Sequence, residues 1–207
     1  MGRSTTRSAA LDEMFDQAER LRQCAQPTSR NETQAMYRRV KAGELIRPAP
    51  HLYARASTWK RLPKDERSRW VIRTIAHNHP GTVFCLYSAA VMYRLPVSYR
   101  YLGHIHICTD KRHPSGSSTW IIRHAYLDDP VTRVEGVQVT YLVQTVVHCM
   151  RTLPFPDALA LADALLRKLK IEPSCWRHAT TRQFSAWRRE TSATPSARRA
   201  TPRRQPP

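Results

Sequence analysis

Residues 29–55 read SRNETQAMYRRVKAGELIRPAPHLYAR, and this stretch decides the fold. Ser29 with Glu32 three residues later fits a capping box, so a helix starts there. Its period carries to about Ala42, and Gly43 suits the left-handed position that closes a helix. Two short apolar-rich runs follow, Glu44-Leu45-Ile46-Arg47 and Leu52-Tyr53-Ala54-Arg55, around Pro48-Ala49-Pro50-His51. They predict a hairpin with its prolines in the turn or on an edge. A basic helix followed by a two-stranded wing is the order in which many small domains meet duplex DNA.

Turning about 100° per residue from a Ser29 cap places Arg30, Gln34, Tyr37, Arg38 and Lys41 in one stripe. Met36 and Val40 fall on another face, beside the stem of Arg39. One side can therefore pack while the other presents amide, phenol and guanidinium groups. Those types suit a major groove: arginine forks to guanine, glutamine pairs with adenine and lysine neutralises phosphate. Arg47 and His51 flank the wing tip, where backbone or minor-groove contact is expected. An ordinary solvated helix also carries arginine and lysine. The neighbourhood favours an anionic partner: residues 30–73 hold twelve Lys or Arg against four Asp or Glu. The whole 207-residue chain has formal charge +18 and a pI near 10.6.

Composition narrows the class. Hydrophobic residues make up 41%, enough for a packed core. No run of roughly 18 apolar residues exists, so no membrane span is expected. The first fifteen residues lack the apolar segment of a secretory signal. Five widely spaced cysteines among apolar neighbours read as buried free thiols of a reducing compartment, the cytoplasm. His104-x-His106 on a presumed strand, with Cys85, Cys108 or His113, is the one arrangement that suggests zinc. It lacks CxxC or HExxH support, and lone strand histidines are usually structural. Ser88 has no Gly-x-Ser-x-Gly setting, and Asp128-Asp129 before Pro130 reads as a turn. No catalytic residue, metal ligand or cofactor is assigned, and the chain reads as a non-enzyme.

The fold expected is α+β. Residues 1–10 read as disordered, and 11–56 as a winged-helix-like DNA-binding domain opened by a helix over 11–24. A basic linker, STWKRLPK, covers 57–64. An α/β domain with a short sheet and flanking helices spans 65–187. Its helices are expected at 65–77, 87–94, 142–153 and 157–169, with a last short one from Pro173. Its strands are expected at 82–84, 104–108, 119–125 and 137–141. Residues 188–207 carry six arginines against one acid and four prolines, and read as a disordered basic tail that adds sequence-independent affinity.

Three stretches in order, RRVKAGELIRPAPHLYAR, CLYSAAVMYRLPV and YLVQTVVHCMRTLPFPDALALADALLR, resemble the AbiE-type (AbiEi-like) antitoxins of type IV toxin–antitoxin systems, including antitoxin-like transcriptional regulators. Together they span about residues 29–170. The resemblance implies a first domain that binds double-stranded operator DNA and represses its own operon. It implies a second, antitoxin-type domain acting against a nucleotidyltransferase-like toxin encoded alongside. Three departures stand out. His51 replaces a glycine, and Gln144-Thr145-Val146-Val147-His148 replaces a run that begins with Arg and ends with Asp. Two helices, not three, precede the wing. A protein-interaction module that does not bind DNA, or a remnant of a fused repair-endonuclease-like protein, are the alternatives.

Overall fold

Seven helices and three short two-stranded ladders alternate along the described residues, an α+β arrangement. The structure, a computed structural model, describes residues 2–109, 119–125 and 129–170, with side chains described from Ala9 onward. The expected helix after Pro173, the basic tail, His113 and Asp128 lie outside the described residues.

The first helix, α1 (Gly2–Arg20), begins nine residues before the predicted start, so residues 2–10 are helical and not disordered. No proline or internal glycine interrupts them, and a helix nucleated by a docked face propagates cheaply. That face is Leu11, Phe15 and Ala18, packed with Met36, Leu45 and Tyr53. The helix ends earlier than predicted. Arg22 adopts φ 53°, and the Gln23 N–H reaches back to the Ala18 carbonyl at 2.8 Å, a Schellman closure.

Helix α2 (Arg30–Lys41) carries the predicted capping box. The Glu32 N–H donates to Ser29 Oγ at 3.2 Å, and the Ser29 N–H donates to Glu32 Oε2 at 3.3 Å. At its far end Gly43 has φ 77°, and the Glu44 N–H returns to the Arg39 carbonyl at 3.0 Å.

The hairpin joins β1 (Leu45–Ala49) to β2 (Leu52–Arg55) through a turn of only two residues, Pro50 and His51. The predicted four-residue turn was too long. Ile46 faces Ala54 and Ala49 faces Leu52, so Arg47 and Pro48 together oppose Tyr53 as a bulge. Pro48 has no N–H to lose there. Tyr53 instead exchanges both backbone hydrogen bonds with Ala25, at 2.8 and 2.9 Å.

Residues 56–61 are helix α3 (Ala56–Arg61), not a linker. Trp59 packs edge-on to Trp70, with ring centroids 6.4 Å apart, and the Arg67 guanidinium covers Trp59. A basic stretch containing Pro63 resembles a linker, but the partly buried Trp59 anchors it as a helix.

Helix α4 (Lys64–Asn78) is central. Trp70, Val71, Ile72 and Ile75 share one cluster with Cys24, Ala49 and Leu52 on one side and with Phe84, Val137 and Val139 on the other. Arg69 and Arg73 are buried on the same helix. Glu66 lies within 2.6 Å of Arg69 and 3.0 Å of Arg73, and Glu135 pairs with both Arg73 and Arg94.

Phe84, fully buried, links the remaining strands. It bridges antiparallel to Ile107 in β3 (Ile105–Thr109) and parallel to Val139 in β6 (Val137–Thr140). β3 pairs in parallel with β4 (Ile121–Ala125), and β6 pairs antiparallel with β5 (Val131–Val134). The layer order is thus β4, β3, the segment 83–85, β6, β5. Glu135 and Gly136, at φ 50° and 81°, make the type I′ turn between β5 and β6. Helix α5 (Leu86–Met92) is buried along its whole length. Its Leu86, Tyr87 and Ala90 cluster with Val146 and Cys149 of α6 (Leu142–Thr152) and Leu161 of α7 (Phe155–Leu169). Residues 1–165 form one unit; a second begins at Leu166.

The ion pairs give a signed pH dependence. Burial raises the Glu66 carboxyl, but hydrogen bonds from Arg69 and Arg73 outweigh it and hold the group below its ordinary value. Hydrogen bonds from Arg73, opposed by burial, likewise hold Glu135 low. A depressed carboxylate stabilises the fold above its unfolded value, about 4.3, and that stability is lost as pH falls through the folded value. Thermal melts from neutral to about pH 3 should show a fall confined to the acid side. Glu135→Gln should flatten it; an unaltered profile would remove Glu135 from the account.

Candidate nucleic-acid interface

The capped axis of α2 and the bulged hairpin converge on an open cleft of about 430 Å³. Its walls are Thr33, Gln34, Tyr37 and Arg38 from α2, Arg47 and His51 from the hairpin, and Tyr53 beneath. Five of the seven residues singled out from sequence thus surround one space. The other two, Arg30 and Lys41, are exposed on α2 outside the cleft lining. Lys41 Nζ lies 4.9 Å from the centroid of the Tyr37 ring, and Tyr37 is 52% exposed. All seven residues are solvent-exposed.

Thr33 and Tyr53 were not foreseen as cleft residues. Thr33 adjoins the stripe one position before Gln34, and its hydroxyl donates to the Ser29 carbonyl at 3.0 Å. Tyr53 is a buried strand residue, and only the bulge that opposes it to Arg47 and Pro48 reveals its position.

Charge is sorted across α2. On the packed side Arg39 pairs with Asp12 at 2.9 Å, and Arg55 pairs with Asp16 at 2.6 Å and Glu19 at 3.5 Å. On the open side Arg30, Arg38, Lys41 and Arg47 make no ion pair among the described residues. Arg38 and Arg47 in the cleft, with Arg30 and Lys41 elsewhere on α2, leave this side of the helix positively charged.

The wing tip is conformationally specific. Pro50 fixes φ at the first turn position, and His51 at the second has φ 60°. This combination fits a type II turn, whose second position favours glycine. Here the left-handed residue projects an imidazole.

The other candidates do not assemble into a site. His104 is exposed, whereas His106 is buried with Nδ1 2.9 Å from His124 Nε2. Burial, then the charges of His124 and His104, push His106 down to about 4, so it is neutral at neutral pH. Among the described residues no group of three His, Cys, Asp or Glu side chains is placed to hold a metal ion. Ser88 Oγ accepts the His106 N–H at 2.8 Å, a buried structural bond. In the run 144–148, Thr145 bonds the Thr140 carbonyl at 2.9 Å and His148 faces both Gln144 and Asp129. Asp129 is therefore more than a turn residue.

No protein-family model, curated protein or solved structure matches the chain. Among the described residues no helix is long and apolar enough to cross a membrane.

The left-handed position yields a direct test. A non-glycine residue there costs roughly 1–2 kcal/mol, partly offset by the greater chain entropy of glycine when unfolded. His51→Gly should raise stability by roughly 0.5–1 kcal/mol in urea unfolding. A loss instead would mean that the imidazole holds the turn.

Proposed function

We propose that this chain is a DNA-binding, antitoxin-like transcriptional autoregulator without catalytic activity, acting in the cytoplasm on double-stranded operator DNA. One observation carries the proposal: two exposed, unpaired cations, Arg38 and Arg47, line a cleft between a capped helix and a hairpin tip, and two more, Arg30 and Lys41, lie exposed on the same helix. In this reading α2 enters the major groove, with Gln34, Tyr37 and Arg38 at base edges and Arg30 and Lys41 on phosphates. Arg47 and His51 touch the adjoining backbone from the wing. Helix, bridge residue, helix and hairpin follow one another in winged-helix order with one helix fewer, and the Ala25–Tyr53 bridge supports that comparison. The antitoxin half of the proposal, with a nucleotidyltransferase-like toxin as partner, rests on the three ordered stretches that resemble AbiE-type proteins.

A second reading, a protein-interaction module that does not bind DNA, is favoured by a different surface. Phe155 and Leu159, one turn apart on α7, are 78% and 55% exposed. Exposed apolar groups grouped in this way mark partner surfaces.

Fluorescence anisotropy with a duplex from upstream of the chain's own reading frame separates the two. Arg38→Ala with Lys41→Ala should weaken binding more than about tenfold and lower the salt slope by about two. Arg94→Ala, which removes a cation already paired with Glu135, should leave the slope unchanged. Equal affinity of the double variant and the parent chain at fixed salt would overturn the DNA proposal. A salt-independent complex with a co-encoded protein, without DNA retention, would favour the module.

A further inference from the structure

A second cleft, about 220 Å³, is lined by Cys85, Cys108, His124, Asp129, His148 and Arg151 among others, and the DNA proposal uses none of them. Two thiols opening on one cleft are a chemical feature in their own right. They are placed by the sheet. The Cys85 N–H donates to the His106 carbonyl at 3.1 Å and the Cys108 N–H to the Val83 carbonyl at 2.8 Å. With Phe84 opposite Ile107, Cys85 and Cys108 are diagonal neighbours on one face.

We propose that Cys85 and Cys108 form a reversible dithiol site that small hydroperoxides oxidise to an intramolecular disulfide.

The two thiols have different parts. Cys108 is partly exposed, and interaction with the neighbouring Cys85 thiol lowers its pKa, which favours the nucleophilic thiolate. Cys85 is buried, and its thiol is pushed up first by the neighbouring Cys108 sulfur and then by burial, so it acts second. In the first step the Cys108 sulfur attacks the terminal peroxide oxygen and the O–O bond breaks. The departing oxygen takes a proton and leaves as an alcohol, or as water from hydrogen peroxide. Cys108 is now a sulfenic acid, oxidised by two electrons. In the second step the Cys85 sulfur attacks the Cys108 sulfur, the S–O bond breaks, and water leaves with the Cys85 proton. Two thiols and one hydroperoxide become a disulfide, an alcohol and water.

Diagonal neighbours lie roughly 7–8 Å apart at Cα, whereas a disulfide needs about 4.4–6.8 Å. Closure therefore draws the strands together. The bond so formed is strained and readily reduced, as a reversible modification requires. Leu86, at φ 46° directly after Cys85, already holds the start of α5 in a costly conformation beside the reacting sulfur.

The test treats the reduced full-length chain with hydrogen peroxide and maps its cysteines by mass spectrometry. The expected product has lost two hydrogens, joins the Cys85 and Cys108 peptides, and reverts with dithiothreitol. Cys85→Ser should accumulate a sulfenic acid at Cys108 that dimedone traps. Cys108→Ser should slow consumption of peroxide roughly tenfold or more. Cys149→Ser, which removes a buried thiol whose pKa burial raises to about 12, should react like the parent. A bridge to Cys24, Cys149 or Cys175 would overturn the proposal, as would oxidation at Cys85 and Cys108 no faster than at Cys149. The parent-chain map decides even if a variant fails to fold.

Discussion

A guanidinium buried in the middle of α4 sets the terms for what packs around it. Arg73 is 7% exposed and stays charged there only with anions at hand. Glu66, two turns back on the same helix, supplies one, and Glu135 in the β5–β6 turn supplies the other. The Arg22 carbonyl, just past α1, accepts a further bond at 3.4 Å. One side chain thus ties the start of the fold, its central helix and the far edge of the sheet. Thr74 repeats the theme beside it by accepting the Cys24 N–H at 2.8 Å. Removing any one acid would leave buried positive charge exposed to a poor solvent, so these elements stand or fall together.

The formal charge misleads when it is only counted. Of the twelve cations in residues 30–73, Arg39, Arg55, Arg69 and Arg73 are paired inward with acids. Lys64 and Arg67 cover the rings of Tyr99 and Trp59. Six remain open: Arg30, Arg38, Lys41 and Arg47 at α2 and the hairpin, and Lys60 and Arg61 at the end of α3. The surface field arises from sorting as much as from excess, because acids are scarce and the packed side consumes them.

Local chemistry was legible in the sequence wherever one residue type has one structural use. The Ser29–Glu32 box and Gly43 both belong to that kind, and they fixed the bounds of α2. The helical period then placed Gln34, Tyr37 and Arg38 on one side, and their cleft with Arg47 and His51 followed from the hairpin. Long-range effects were not legible. Trp59 made a helix of an apparent linker through a partner eleven residues away. The burial of Arg73 was not legible because Glu135, which completes its pairing with Glu66, lies 62 residues along the chain. The short strand expected at 82–84 is represented by bridges from Phe84, and nothing local signalled that it joins both halves of the sheet. Tyr53 became part of the cleft through a bulge that no spacing rule signals.

Tyr53 is held from both sides, by the bulged ribbon on one edge and by Ala25 on the other. A hairpin anchored only by its own turn would swing, and a ligand would have to freeze that motion. Here the backbone of the second strand is already immobilised against the chain between the first two helices. A ligand docking at the tip, as the DNA proposal requires, would therefore meet a rigid template whose ordering cost falls largely in folding.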